Sequence, residues 1–141
     1  MSELIKKSLS NYNAAEILIE KKNYSPSIHC AYYSSLQIIL FLINSKLSKT
    51  WKNYYKDSKD AATALKQQNE SIHNLYISFI KQDISKTDIN TQRKFSTDIG
   101  ILKKYRNNSD YTEFEIKDTI AEQSIKLAQN INSQLIKHYQ L

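Results

Sequence analysis

Apolar residues recur at intervals of three and four along most of the chain, the period of helices that bury one face. From Ser2 to Lys22, Ile5, Leu9, Tyr12, Ala15, Leu18 and Ile19 share a side, and the polar run Glu20-Lys21-Lys22-Asn23 ends the pattern. Ser25-Pro26 reads as an N-cap followed by proline at the first helical position. The second helix, Pro26 to Lys46, presents Ile28, Tyr32, Ser35, Ile39 and Leu42, and from Ile38 to Ile43 it is apolar all round. A helix apolar on every side is buried among others, so this one should be central.

Leu47 to Leu65 reads as either a short helix or an ordered loop, with Lys49, Lys52, Lys56 and Lys59 at helical spacing and Trp51, Tyr54 and Tyr55 displaced from them. Asn69 to Lys81 carries a stripe of Ile72, Leu75, Tyr76, Phe79 and Ile80, and Asp83 to Asn90 reads as a connection. Thr91 to Asn107 presents Phe95, Ile99, Leu102 and Tyr105. Asn107-Asn108 is its expected stop, because Asn tolerates the left-handed conformation at helix ends. Gly100 inside it should weaken it slightly. The last helix, Lys117 to Tyr139, aligns Ile120, Leu127, Ile131 and Leu135. Long amphipathic helices with short links predict an all-α, antiparallel four- to five-helix up-and-down bundle, one domain over residues 1–141.

Composition supports that reading. Only one Gly and one Pro occur in 141 residues, too few for the many tight turns of a β-rich or doubly wound fold. With 40% hydrophobic residues, disorder is not expected. Cys30 is the sole cysteine, which rules out an intramolecular disulfide framework and points to a reducing compartment. Met1 to Tyr12 lacks the apolar run of a signal peptide. The longest apolar run, Ile38 to Ile43, is far short of the roughly 20 residues a membrane span needs. A cytoplasmic protein without membrane or cofactor is therefore expected. Twenty Lys and Arg against fourteen Asp and Glu give a net charge of +6, compatible with nucleic acid without requiring it.

Two stretches go further. Asn23-Tyr24, then Ala31-Tyr32-Tyr33-Ser34 and an apolar helix, resembles the second helix of HEPN proteins. Ser71-Ile72-His73, Phe79-Ile80-Lys81 and Leu102 to Tyr111 resemble the later half of one HEPN branch. Those stand-alone proteins have an Arg shortly before an Asp-Tyr pair, here Arg106-Asn107-Asn108-Ser109-Asp110-Tyr111. The resemblance implies a HEPN-like bundle that dimerises. It implies an RNA-directed role in toxin–antitoxin or phage-defence systems, with a nucleotidyltransferase as a candidate partner. In the ribonucleases of that family, an Arg is followed four to six residues later by a His. Cleavage by the RNA's own 2′-OH needs a group that moves protons near neutrality and a fixed positive fork on the phosphorane.

After Arg106 that window, taken at its widest, holds Ser109, Asp110, Tyr111, Thr112 and Glu113, with no His. The expectation is accordingly an RNA-binding protein with degraded or absent ribonuclease activity. The alternatives are a helical interaction module and an active metal-independent ribonuclease with a substitute base. Arg106, Asp110, Tyr111 and His73 are the candidate catalytic residues, and Lys103, Lys104, Arg106 and Asn107 the candidate RNA contacts.

Each has a plainer reading. Lys103, Lys104 and Arg106 could complement a helix dipole, with Arg106 paired to Asp110. Tyr111 could be a hydrogen-bonding core residue, His73 and His29 packed structural residues, and His138 part of a fraying end. Tyr32 and Tyr33 read as core and dimer seam. Lys49 to Lys59 reads first as an amphipathic helix with aromatics inward and lysines outward, and second as an RNA-stacking surface. Glu70-Ser71-Ile72-His73 matches Glu-x-x-His, but no second copy accompanies it, and no metal site is expected.

Overall fold

The computed structural model describes residues 2–68 and 71–141, all in helices and their connections. The helices are α1 (Glu3–Glu20), α2 (Tyr24–Asn44), α3 (Ser48–Ala64), α4 (Ile72–Ser85), α5 (Ile89–Tyr111) and α6 (Asp118–Tyr139). The all-α bundle is as expected, with six helices among the described residues instead of four or five. The extra one is α3, where the lysine spacing proves helical.

The central helix is α2, which packs against each of the other five. Ile28, Ala31, Tyr32, Leu36, Ile39 and Leu42 are essentially without solvent contact. Each buried Ile or Leu among them contributes about 1.5–3 kcal/mol relative to exposure. Around it the core includes Ala15 of α1, Ile77, Phe79, Ile80 and Ile84 of α4, Phe95, Ile99 and Leu102 of α5, and Ala128, Ile131 and Leu135 of α6. By length and composition α2 could cross a membrane, and 61% of its apolar window is buried inside the bundle. The Ile38–Ile43 run understates its apolar length, because Ala31, Tyr32, Tyr33, Ser34, Ser35 and Leu36 continue the surface on its N-terminal side.

Small side chains set the approach of α1 to α2. Ser27 Oγ donates to the Ala15 carbonyl at 2.7 Å and Ser8 Oγ to the Ser34 carbonyl at 2.7 Å, all four residues being buried. A larger residue at any of these positions would push the helices apart.

Several boundaries differ from the sequence reading. α2 starts at Tyr24, so Pro26 is its third residue; that is still in the first turn, where a backbone N–H has no intrahelical acceptor. α4 runs to Ser85 because Ile84 is fully buried. Asp88 starts α5 two residues early, its Oδ1 accepting from Thr91 N at 3.0 Å. α5 does not stop at Asn107-Asn108. It continues to Tyr111, with Ser109 turned into the bundle and its carbonyl accepting from Ser25 Oγ at 3.4 Å. The expected helix start at Asn69 and the Glu-x-x-His residue Glu70 lie outside the described residues.

Helix ends are closed without glycine. Lys22 and Lys66 adopt left-handed φ of 61° and 54°. Behind Lys22, Asn23 N donates to Leu18 O and Lys22 N to Ile19 O; behind Lys66, Gln67 N donates to Ala62 O and Lys66 N to Thr63 O. Both are Schellman turns with lysine in the position glycine usually takes.

α3 is the least embedded helix. None of its residues is buried. It is held through Trp51 and Tyr54, which pack against the core and against Phe79. The expectation of aromatics inward and lysines outward holds for these two, whereas Tyr55 remains 38% exposed.

Candidate functional site

Three helices bring polar groups together around Arg106. α2 contributes His29, Tyr32 and Tyr33 within little more than one turn. α4 contributes His73 from its first turn, which Ser71 caps by accepting from Asn74 N at 3.3 Å. α5 contributes Arg106 and Asp110, four residues apart and so on one face.

The guanidinium is the hub. Its carbon lies 5.4 Å from the ring centre of Tyr32 and 5.8 Å from that of Tyr33, within cation–π range. Nε is 3.0 Å from Asp110 Oδ2, and Nη1 donates to Asn107 Oδ1 at 3.1 Å. The side chain is only 17% exposed. Nε is buried, and its contact with Asp110 is an ion pair too bent to serve as a hydrogen bond, so this donor has no aligned acceptor.

Two imidazoles flank the hub. His29 stacks on Tyr33 with ring centres 4.6 Å apart, and its Nδ1 lies 3.6 Å from Asp110 Oδ2. That side chain is 45% exposed, so His29 is not the packed residue the sequence suggested. Helical phase explains the difference: His29 sits between buried Ile28 and half-buried Cys30 but points to the groove over α5.

His73 Nδ1 is 3.2 Å from the Tyr32 hydroxyl. Burial first, then the charges of Arg106 and Lys103, push His73 below its usual value of 6.5 and favour the neutral ring. Burial likewise raises Tyr32 to about 12, with Arg106 working in the opposite direction. The hydroxyl therefore keeps its proton at neutral pH, and the tautomer of the neutral His73 ring sets which of the two groups donates in this contact.

The candidate residues thus separate. Arg106, Asp110, His73 and Asn107 converge, and Lys103 adds its field to His73. Tyr111 does not join them. It is 81% exposed, lines a shallow groove with Asn107, Asn108, Thr112 and Phe114, and is no core residue. Lys104 is exposed to solvent. The dipole account of Lys103, Lys104 and Arg106 fails because α5 extends a turn further and its last turn holds no basic residue. The Arg106–Asp110 pair stands. Tyr32 is core, as expected, and its hydroxyl also belongs to the site. His138 lies in the last turn of α6, 3.4 Å from Thr87 Oγ1 and far in sequence from this cluster.

Besides the Tyr32 hydroxyl, His29 and Tyr33 are the site residues that sequence reasoning missed. The available signal was their i, i+4 spacing beside the Ala31-Tyr32-Tyr33-Ser34 motif, which puts both on one face. Among the described residues, no three His, Cys, Asp or Glu side chains converge as a metal ion would require. Chemically, the cluster offers a shielded fork for an anionic oxygen, a carboxylate that orients it, two imidazoles and exposed ring faces.

Comparison of the chain with family models, with curated proteins and with solved structures found no match.

Proposed function

We propose that this chain is a HEPN-like bundle that binds RNA, with Arg106 taking a backbone phosphate. The carrying observation is the guanidinium held in place between Tyr32, Tyr33 and Asp110, with its side chain still 17% exposed. A phosphate oxygen is the natural partner for a positioned fork of this kind. Partly exposed Tyr33 and His29 beside it offer surfaces for a base. The net charge of +6 favours a polyanion. Fluorescence anisotropy with labelled single-stranded RNA at low and moderate salt tests the reading. Arg106→Ala should weaken binding about tenfold or more, and failure of the unaltered protein to bind at low salt would refute the proposal.

A second reading, metal-independent cleavage, is favoured by the two imidazoles, which would stand in for the His absent from the window four to six residues after Arg106. One imidazole would take the proton of the 2′-OH as its oxygen attacks phosphorus. The other would give a proton to the 5′-oxygen as the P–O5′ bond breaks, leaving a 2′,3′-cyclic phosphate and a free 5′-hydroxyl. Arg106 would hold the charge on the equatorial oxygens. His29→Gln and His73→Gln should then each lower cleavage in the presence of a chelator while RNA binding persists. Full activity in both variants sinks this reading.

The resemblance also implies a homodimer and a nucleotidyltransferase partner. Support for a contact next to the site comes from Tyr111 at the end of α5 and Phe114 in the connection after it, 81% and 85% exposed. Sedimentation of the purified chain, alone and with the co-expressed product of the adjacent gene, reads both.

A further inference from the structure

The rings around Arg106 do not end at the cluster. Tyr33 meets His73 at 6.0 Å between ring centres, His73 meets Tyr76 at 6.4 Å, and Tyr76 meets Trp51 of α3 at 5.3 Å. Trp51 in turn meets Tyr55 at 5.6 Å, and Lys59 Nζ stands 5.3 Å over the Tyr55 ring. A continuous aromatic band therefore leads from His29 on α2, across the start of α4, to the surface of α3. Apart from Tyr55, which is exposed, its rings are half-buried, with one part seated in the bundle and another in solvent.

Charge follows the same route. Arg106 and Lys103 stand at one end. At the other, Lys52, Lys56 and Lys59 recur at intervals of four and three, on the flank of α3 that adjoins Tyr55. Asp60, four residues beyond Lys56, borders this flank, so three lysines face one carboxylate there. Packing alone does not call for this. Trp51 and Tyr54 suffice to seat α3, yet Tyr55 stays outside with a cation over its face.

We infer that the band is a track for single-stranded RNA several nucleotides long, with one phosphate on Arg106, others on Lys52, Lys56 and Lys59, and bases laid on the rings between them. Alternating ring faces and lysines are the pattern that binds single strands without reading sequence. A duplex keeps its bases stacked on each other and cannot use the rings. The inference rests on the RNA reading above and adds the class and length of RNA and a second contact region remote from Arg106.

The test compares a dinucleotide, a twelve-nucleotide oligouridylate and a duplex of equal length by anisotropy across a salt series. The unaltered protein should bind the long single strand at least about tenfold tighter than the dinucleotide or the duplex. Tyr55→Ala, at an exposed ring, should weaken the long strand about fivefold or more and leave the dinucleotide unchanged. The triple variant K52Q/K56Q/K59Q should reduce the slope of log affinity against log salt by about two for the long strand only. Arg106→Ala should weaken both single-stranded ligands. If Arg106→Ala weakens the long strand while Tyr55→Ala and the lysine variant leave it unaltered, the track is wrong and the Arg106 site stands. Equal binding of duplex and single strand also overturns the track. No binding by the unaltered protein at low salt overturns both.

Discussion

Arg106 Nε and Asp110 Oδ2 lie 3.0 Å apart across one turn of α5, and the same carboxylate oxygen is 3.6 Å from His29 Nδ1 on α2. One carboxylate thus stands between the fork that would hold a phosphate and an imidazole that would move a proton. It orients both groups and also cancels part of the charge that attracts RNA.

Those two effects separate in Asp110→Asn. Losing a nearby negative charge should raise RNA affinity by a few-fold at low salt, an increase that fades as salt screens it. If the chain cleaves RNA, the rate at saturation should fall in the same variant, because His29 loses its charged partner. Anisotropy and single-turnover cleavage read the two quantities. A merely structural role would lower both together.

His73 makes stability depend on pH in a defined direction. Its value in the folded protein is lowered by burial and by Arg106 and Lys103. The unfolded chain therefore binds the proton more readily, and stability rises with pH across the window between the lowered value and about 6.5. The neutral ring's contribution is complete above the unfolded value. As pH falls below about 6.5, stability is progressively lost, until the folded value is passed. Thermal unfolding from pH 7.5 to 4.5 should show a shallower decline for His73→Gln than for the unaltered protein. Parallel curves would remove His73 as a source.

Tyr32 carries both packing and polar contact. It is fully buried, and its hydroxyl reaches His73 Nδ1 at 3.2 Å. Tyr32→Phe keeps the ring and should cost about 0.5–1.5 kcal/mol. Tyr32→Ala also opens a cavity under Arg106 and should cost about 3–5 kcal/mol. Denaturant unfolding distinguishes the two. Equal losses would mean that the ring contributes nothing beyond its hydroxyl.

The distribution of glycine leaves stability unused. Gly100 sits inside α5, and a Cβ there would meet nothing within 4 Å. Gly100→Ala should stabilise by about 0.5–1 kcal/mol through helix propensity. Lys22 occupies a left-handed position at the end of α1 that suits glycine. Lys22→Gly should relieve about 1 kcal/mol of backbone cost, less the entropy of the freer unfolded chain. Each substitution should raise the melting temperature, and a fall in either counts against its stated cause.

Helical phase was legible in the sequence because each helix records its buried face locally, at three- and four-residue spacing. That was enough for the all-α bundle, the central position of α2, the burial of Tyr32, and the pairing of Arg106 with Asp110 one turn away. Boundaries were less legible. α5 runs past Asn107-Asn108 because Ser109 finds a place in the bundle, and that place depends on α2. α3 was ambiguous because a helix held only by Trp51 and Tyr54 carries a weak apolar stripe.

The site shows the same division. Arg106 and Asp110 are neighbours in sequence, so spacing alone could propose them. His29, Tyr33 and His73 come from two other helices. Whether they face Arg106 depends on how α2, α4 and α5 are rotated and stacked, which is decided by the whole core and not by any local pattern. By itself the sequence determined a helical bundle with an Arg–Asp pair and no His beside it. Only tertiary packing decided that two histidines stand around that pair, because bringing residues from separate helices together requires the long-range apolar contacts that form the core.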